Sequence, residues 1–160
     1  MAIFRSVHEV EEYTIEKGHE ALEEIAMYTF IQWKGLIKKK VYDEGRLKAD
    51  PSNNFYKRTN QFIDSLELRW INPLLVEIGY NTDKILPSMM VDRNTFNRHT
   101  SFSGVDVSDL IPLFIEEGNG NSPIHSYEGL HMYDQVCEML TRSYHLLLRE
   151  ALSRRGIKTL

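Results

Sequence analysis

Between Leu22 and Ile37 the apolar and small residues Leu22, Ile25, Ala26, Thr29, Trp33, Leu36 and Ile37 recur at three- and four-residue steps. Glu20, Glu23, Glu24, Lys34 and Lys38 fall mostly on the other side, so the pattern predicts an amphipathic helix of several turns. Ser6-x-x-Glu9 has the form of a capping box, with the serine oxygen serving a first-turn amide and the glutamate reaching back. Gly18 and Gly35 weaken the helix locally, and Gly45 marks where the chain leaves it. Residues 1–14 are expected as a mobile N-terminal arm or a separate helical turn. After the polar connector "EGRLKADPSNNFYKRT" the period changes to two. Leu66, Leu68 and Trp70 then point one way and Glu67 and Arg69 the other. "INPLL" reads as a turn, and Leu74, Val76, Ile78 and Tyr80 return as a second strand. A hairpin with one apolar face needs a cover. The predicted core joins Trp33, Leu66, Leu68, Val76, Ile78, Leu140 and Leu147.

From residue 82 to 106 the periodicity dissolves while Ile85, Leu86, Met89, Met90 and Val91 keep the stretch apolar. A loop of that length in a compact domain is expected to dock on something. "SDLIPLFIEEG" predicts a short helix with Ser108 or Asp109 as N-cap, Pro112 in its first turn and Gly118 as its stop. "GNGNSPIHSYEG" is a second loop. Leu130, Tyr133, Val136, Cys137, Leu140, Tyr144, Leu147 and Ala151 then trace a last helical stripe, ended by Arg154, Arg155 and Gly156. The expected fold is a single α+β domain over residues 1–160: long N- and C-terminal helices packed on a small antiparallel β-hairpin sheet, with long loops.

Composition narrows the partners. The 160 residues carry a net charge of −4, with 42% hydrophobic and 26% charged positions, ordinary for a globular chain. The acidic balance argues against a dedicated nucleic-acid binder, and Lys38-Lys39-Lys40 reads as a solvated helix end. One cysteine, Cys137, excludes an intramolecular disulfide framework and a cysteine-cluster zinc site. The N-terminal "MAIFRSVHEVEE" has no apolar signal core, so folding in a cytoplasm is expected.

The candidate chemistry is sparse. His125 and His131 with Glu128 between them match no metal-binding spacing on a helix, and read as a polar loop. Cys137 sits on the apolar stripe as a small hydrophobe, with neither His131 nor His145 stacked over it. Glu116-Glu117 could be a carboxylate pair for acid–base work, but adjacent helical positions diverge by about 100°, so a solvated helix end is expected. No P-loop, G-x-S-x-G or G-x-G-x-x-G is present. Tyr56 and Arg58 could stack on and pair with a nucleotide. The reading preferred is a fastening at the start of the sheet: Tyr56 and Phe62 anchor the loop, Arg58 bridges to a carboxylate or carbonyl, and Thr59 or Ser65 satisfies backbone groups.

Read in order, "FYKRTNQFIDSLE" after a long helix, the hairpin, "HTSFSG", "IPLFIEEGNG" and the closing "SRRGI" resemble the tail-component family of tailed bacteriophages, the head–tail joining or tail-completion neck proteins. Tyr56, Arg58, Thr59, Phe62 and Ser65 fit that family's Tyr-x-Arg-Thr-Gly-x-Leu-x-x-Ser run. Asn60 stands where glycine is usual, and asparagine also tolerates a left-handed turn. Ile111, Pro112, Ile115, Glu116, Glu117 and Gly118 fit a second motif. The resemblance covers roughly residues 15–157. It implies a non-enzymatic virion protein without cofactors, forming a homo-oligomeric ring in the neck. Its implied neighbours are the connector or stopper on one side and the tail terminator or tail tube on the other, with genomic DNA passing through the lumen unbound. Met89, Met90, Val91, Phe96 and Ile124 are the expected oligomer contacts. The competing expectation is a small phage-encoded regulatory or nucleic-acid-binding protein.

Overall fold

The structure is a computed structural model and describes residues 4–43, 60–85, 112–113, 115–118 and 129–158. The fold is α+β: a long N-terminal helix, a two-stranded antiparallel sheet and a C-terminal helix. Helix α1 spans Val7–Ile37 and continues into a π-helical turn over Lys38–Asp43. A one-turn helix α2, Gln61–Ser65, leads directly into β1, Leu66–Asn72, which pairs with β2, Leu75–Tyr80. A 3₁₀ turn covers Thr82–Lys84, and helix α3 runs over Met132–Arg154. No helix among the described residues is long and apolar enough to cross a membrane.

The capping box forms. Ser6 Oγ accepts from the Glu9 amide at 3.2 Å, while the Glu9 carboxylate takes the Arg5 amide at 2.6 Å in place of that of Ser6. The helix therefore begins at Val7 and runs unbroken through Gly18, so residues 7–14 are its first two turns and not a separate piece. Its buried positions include Ala21, Ile25, Thr29, Trp33, Ile37 and Val41. A spacing of four advances about 40° per step on an α-helix, so this stripe winds around the axis. The π turn has more residues per turn and slows that drift around Val41.

The described residues form two compact units. The first takes residues 1–33, 68–79 and 134–160. In it the hairpin lies on α1: the His19 ring packs on Trp70 at 4.2 Å, and His19 Nδ1 donates to the Pro73 carbonyl at 2.8 Å. A Cβ added at Gly18 would come within 3.1 Å of the Leu74 side chain, so a small residue suits that crossing. The hairpin loop is Pro73-Leu74, and Asn72 Oδ1 fixes it by accepting from the Leu74 amide at 2.9 Å. The second unit takes residues 34–67 and 80–133. Its buried side chains include Ile37, Val41, Phe62, Leu66, Ile85, Ile115 and Met132.

Of the predicted core, Trp33 and Leu66 are buried, whereas Leu68, Val76, Ile78, Leu140 and Leu147 are only half-buried. Two strands alone leave part of each inward residue uncovered. Of the predicted docking loop 82–106, only residues 82–85 are described, and they are ordered; the rest of it lies outside the described residues. Asn81 caps the 3₁₀ turn through the Asp83 amide, and Ile85 is 4% exposed.

Candidate functional site

Tyr56, Arg58 and Thr59 lie outside the described residues, but the other half of their motif is placed. Phe62 is buried, and its ring stacks on Tyr80 with centroids 4.8 Å apart and planes 24° apart. Ser65 is fully buried. Its hydroxyl donates to the Phe62 carbonyl at 2.7 Å, and its own carbonyl accepts from the Asn81 amide at 2.7 Å. The last carbonyls of a helix lack intrahelical donors, and here one buried serine and one strand-end amide supply them. Asn81 Nδ2 donates to Glu67 at 3.0 Å, and Lys84 pairs with the same carboxylate. Phe62 and Ser65 thus fasten the junction of helix and sheet. Asn60 takes φ −74° and begins α2 without a side-chain cap bond, so the left-handed turn expected of it is not used.

Glu116 departs from the solvated helix end expected of it. The chain is helical at 112, 113 and 115–117 and stops at Gly118, whose φ is +85°. Glu116 is half-buried, and its Oε2 accepts from the amides of Met132 at 2.6 Å and Tyr133 at 3.0 Å. Its Oε1 accepts from the Tyr80 hydroxyl at 2.9 Å. Met132 and Tyr133 open α3, and the residue before them, His131, sits at φ 47°. No serine, threonine, aspartate or asparagine stands at that cap position, so a carboxylate from elsewhere in the chain replaces the local cap. Main-chain bonds from Leu130 to Ile115 (2.9 Å) and from His131 to Glu116 (3.0 Å) hold the two segments together. The approach is close enough that a Cβ at Gly129 would lie 2.1 Å from the Glu116 carbonyl oxygen. Lys40 Nζ donates to the Leu130 carbonyl at 3.1 Å, which removes it from the expected solvated lysine run. Glu117 is exposed.

The closing arginines form a second cluster, on α1. Arg155 donates through Nη2 to the Glu20 carbonyl, and through Nη1 to the Ala151 carbonyl and the Glu24 carboxylate, at 2.8, 2.8 and 2.9 Å. Its Nε lies 3.2 Å from Glu20 Oε2 as an ion-pair contact without hydrogen-bond geometry. Arg154 also pairs with Glu24, and the Tyr13 hydroxyl donates to the Arg155 carbonyl at 3.4 Å. The hydrogen bond from Arg155 holds the Glu24 carboxyl below its ordinary pKa against a partial desolvation effect. Lys17 does the same, as the main cause, for Glu20, and Glu20 raises Lys17 in return. Gly156, at φ +80°, ends α3 with its amide bonded to Ser153 and that of Ile157 bonded to Leu152, each at 3.0 Å. Those are the two bonds of a Schellman turn. The arginines are consumed by carboxylates and carbonyls, so their chemistry is attachment.

Several large apolar side chains of the first unit remain in solvent. Met27, Tyr28 and Ile31 on α1 are 46%, 43% and 59% exposed, and Ile71, Leu74 and Leu75 are exposed around the hairpin tip. The predicted oligomer contacts Met89, Met90, Val91, Phe96 and Ile124 lie outside the described residues, as do His125 and Glu128. Cys137 is half-buried on α3. The sequence patterning could have exposed the α1 patch, since Met27 and Ile31 oppose the buried stripe at helical spacing. The chain matches no protein-family model, no curated protein and no solved structure.

Proposed function

We infer that the chain is a structural subunit of a tailed-phage neck, assembling with copies of itself into a ring that joins the DNA-filled head to the tail. The observation that carries this reading is the exposure of large apolar side chains on more than one element, among them Met27, Tyr28 and Ile31 on α1 and Ile71, Leu74 and Leu75 around the hairpin tip. Contiguous exposed apolar surface marks contact sites, and a ring subunit has a neighbour on each side, each meeting a different surface. Phe62 and Ser65, which fit the run that resembles that of the neck proteins, serve internal fastening, as a scaffold requires. A net charge of −4 suits a lumen through which DNA slides without sticking.

Deleting the gene from its phage tests the reading. The expected lysate contains DNA-filled heads and finished tails that do not join, seen by electron microscopy. Normal attached tails, or empty unpackaged heads, would overturn it and favour a regulatory role.

A further inference from the structure

We propose that α1 and the hairpin tip of one copy of this chain receive the exposed side of α3 of the next copy, in a head-to-tail contact. The proposal rests on the ring reading, which needs two different faces, and both faces lie within the first unit. Glu11, Ile15, His19, Glu23 and Met27 follow one another at four-residue steps and form a single ridge along α1. His19, at its middle, is taken by the hairpin through Trp70 and the Pro73 carbonyl. Ile15 and Met27 stand exposed on either side of it, and the hairpin tip adds exposed Leu74 and Leu75. Glu11 and Glu23 are also exposed. Among the described residues neither has an ion-pair or hydrogen-bond partner. Apolar side chains interleaved with free carboxylates suit a partner that offers an apolar side chain beside free cations.

The chain carries that complement itself. Leu146 on α3 is exposed, and Arg149 stands three residues further along the helix. Arg149 and Lys158 share one shallow depression with Glu150 and Ser153. Glu150 lies 4.0 Å from Arg154, whereas Arg149 and Lys158 are exposed and have no partner among the described residues. Arg154 and Arg155 play no part, because Glu20 and Glu24 already hold them. An apolar side chain beside two free cations thus faces outward on one element, and apolar side chains beside two free carboxylates on others. A contact of either face with its own copy would set like charges together, which is unfavourable. Acid to base is the favourable pairing, and a contact between two different faces repeats from copy to copy instead of closing at two. Burial of Leu146 against Ile15 and the hairpin leucines supplies the attraction, and the charges set its direction.

Sedimentation equilibrium of the pure full-length chain, carried to about 500 µM because so small a contact is weak, tests this. Concentration-dependent association that continues beyond a dimer is expected. Glu11→Lys with Glu23→Lys makes both faces basic, and Arg149→Glu with Lys158→Glu makes both acidic. Each double variant alone should associate at least tenfold more weakly, and mixing the two in equal amounts should restore association, since every contact then joins acid to base. Leu146→Gln should weaken association at least tenfold with an unchanged circular dichroism melt. A monomer at every concentration overturns the proposal, and so does association that stops at two copies. A mixture no better than its separate components, or indifference to Leu146→Gln, overturns it as well. The neck reading is tested separately, in phage lysates, so a chain that stays monomeric when pure yet leaves heads and tails unjoined when deleted would sink this contact and spare that reading.

Discussion

Replacing Glu116 removes the acceptor shared by the Met132 amide, the Tyr133 amide and the Tyr80 hydroxyl. The three losses differ. Tyr133 is 55% exposed, so water can take its amide, whereas Met132 is fully buried and its N–H is stranded. A stranded buried donor costs about 1–3 kcal/mol, and loss of an N-cap acceptor costs about 0.5–2 kcal/mol. Because these descriptions overlap at Met132, Glu116→Ala should lose about 2–4 kcal/mol in all. Glu116→Gln keeps an oxygen in place and gives up only the charge against the helix dipole and the charge-assisted bonds, about 1 kcal/mol. Urea unfolding gives both values, and amide exchange gives the location. In Glu116→Ala the Met132 amide should exchange faster, while amides in the last turns of α3 change little. A loss below about 0.5 kcal/mol, or an unaltered Met132 amide, would refute the long-range cap.

The Glu20–Glu24–Arg155 cluster makes stability depend on acid. Both carboxyls titrate below their ordinary 4.5 when folded, so their contribution is present above about pH 4.5 and fades as pH falls through the lower folded values. Melting temperatures between pH 2 and 7 should show a shallower acid limb in Arg155→Met and at high salt. Lys17, raised above 10.5, adds stability that is lost only as pH rises beyond that value. Two glycines should respond in opposite senses to alanine. Gly129→Ala forces a Cβ against backbone and should destabilise by more than about 1 kcal/mol, while Gly35→Ala enters open space and should stabilise the monomer by about 0.5–1 kcal/mol, both read from thermal melts.

Much of this was legible in one dimension wherever a local period or a local cap decides the outcome. The α1 stripe, the hairpin alternation, the Ser6–Glu9 cap and the Gly118 and Gly156 stops all depend on neighbours within about five positions, and each appears in the structure. Leu68 shows the limit. Alternation gave the face it shares, but its half-burial depends on what lies over that face, which alternation does not encode. Glu116 lies beyond the same limit, because its partners stand 16 and 17 residues further on. The one-dimensional signal was negative, a helix start at Met132 with His131 where a capping residue would stand. Within the site motif, Phe62 and Ser65 act as fastening.

The first unit is assembled from the beginning, the middle and the far end of the chain. Tyr13 meets Arg155 across 142 positions, and Glu24 meets Arg155 across 131. During synthesis α1 is therefore made long before the helix that secures it. At roughly 5–20 residues per second, the wait lasts on the order of ten seconds. Throughout it both sides of α1, the stripe meant for the interior and the Met27–Ile31 face, are open to whatever the cell offers. The moment of greatest exposure to chaperones and to aggregation thus falls before the two arginines near residue 155 have emerged, and a truncation that removes them should yield a chain held in that vulnerable state.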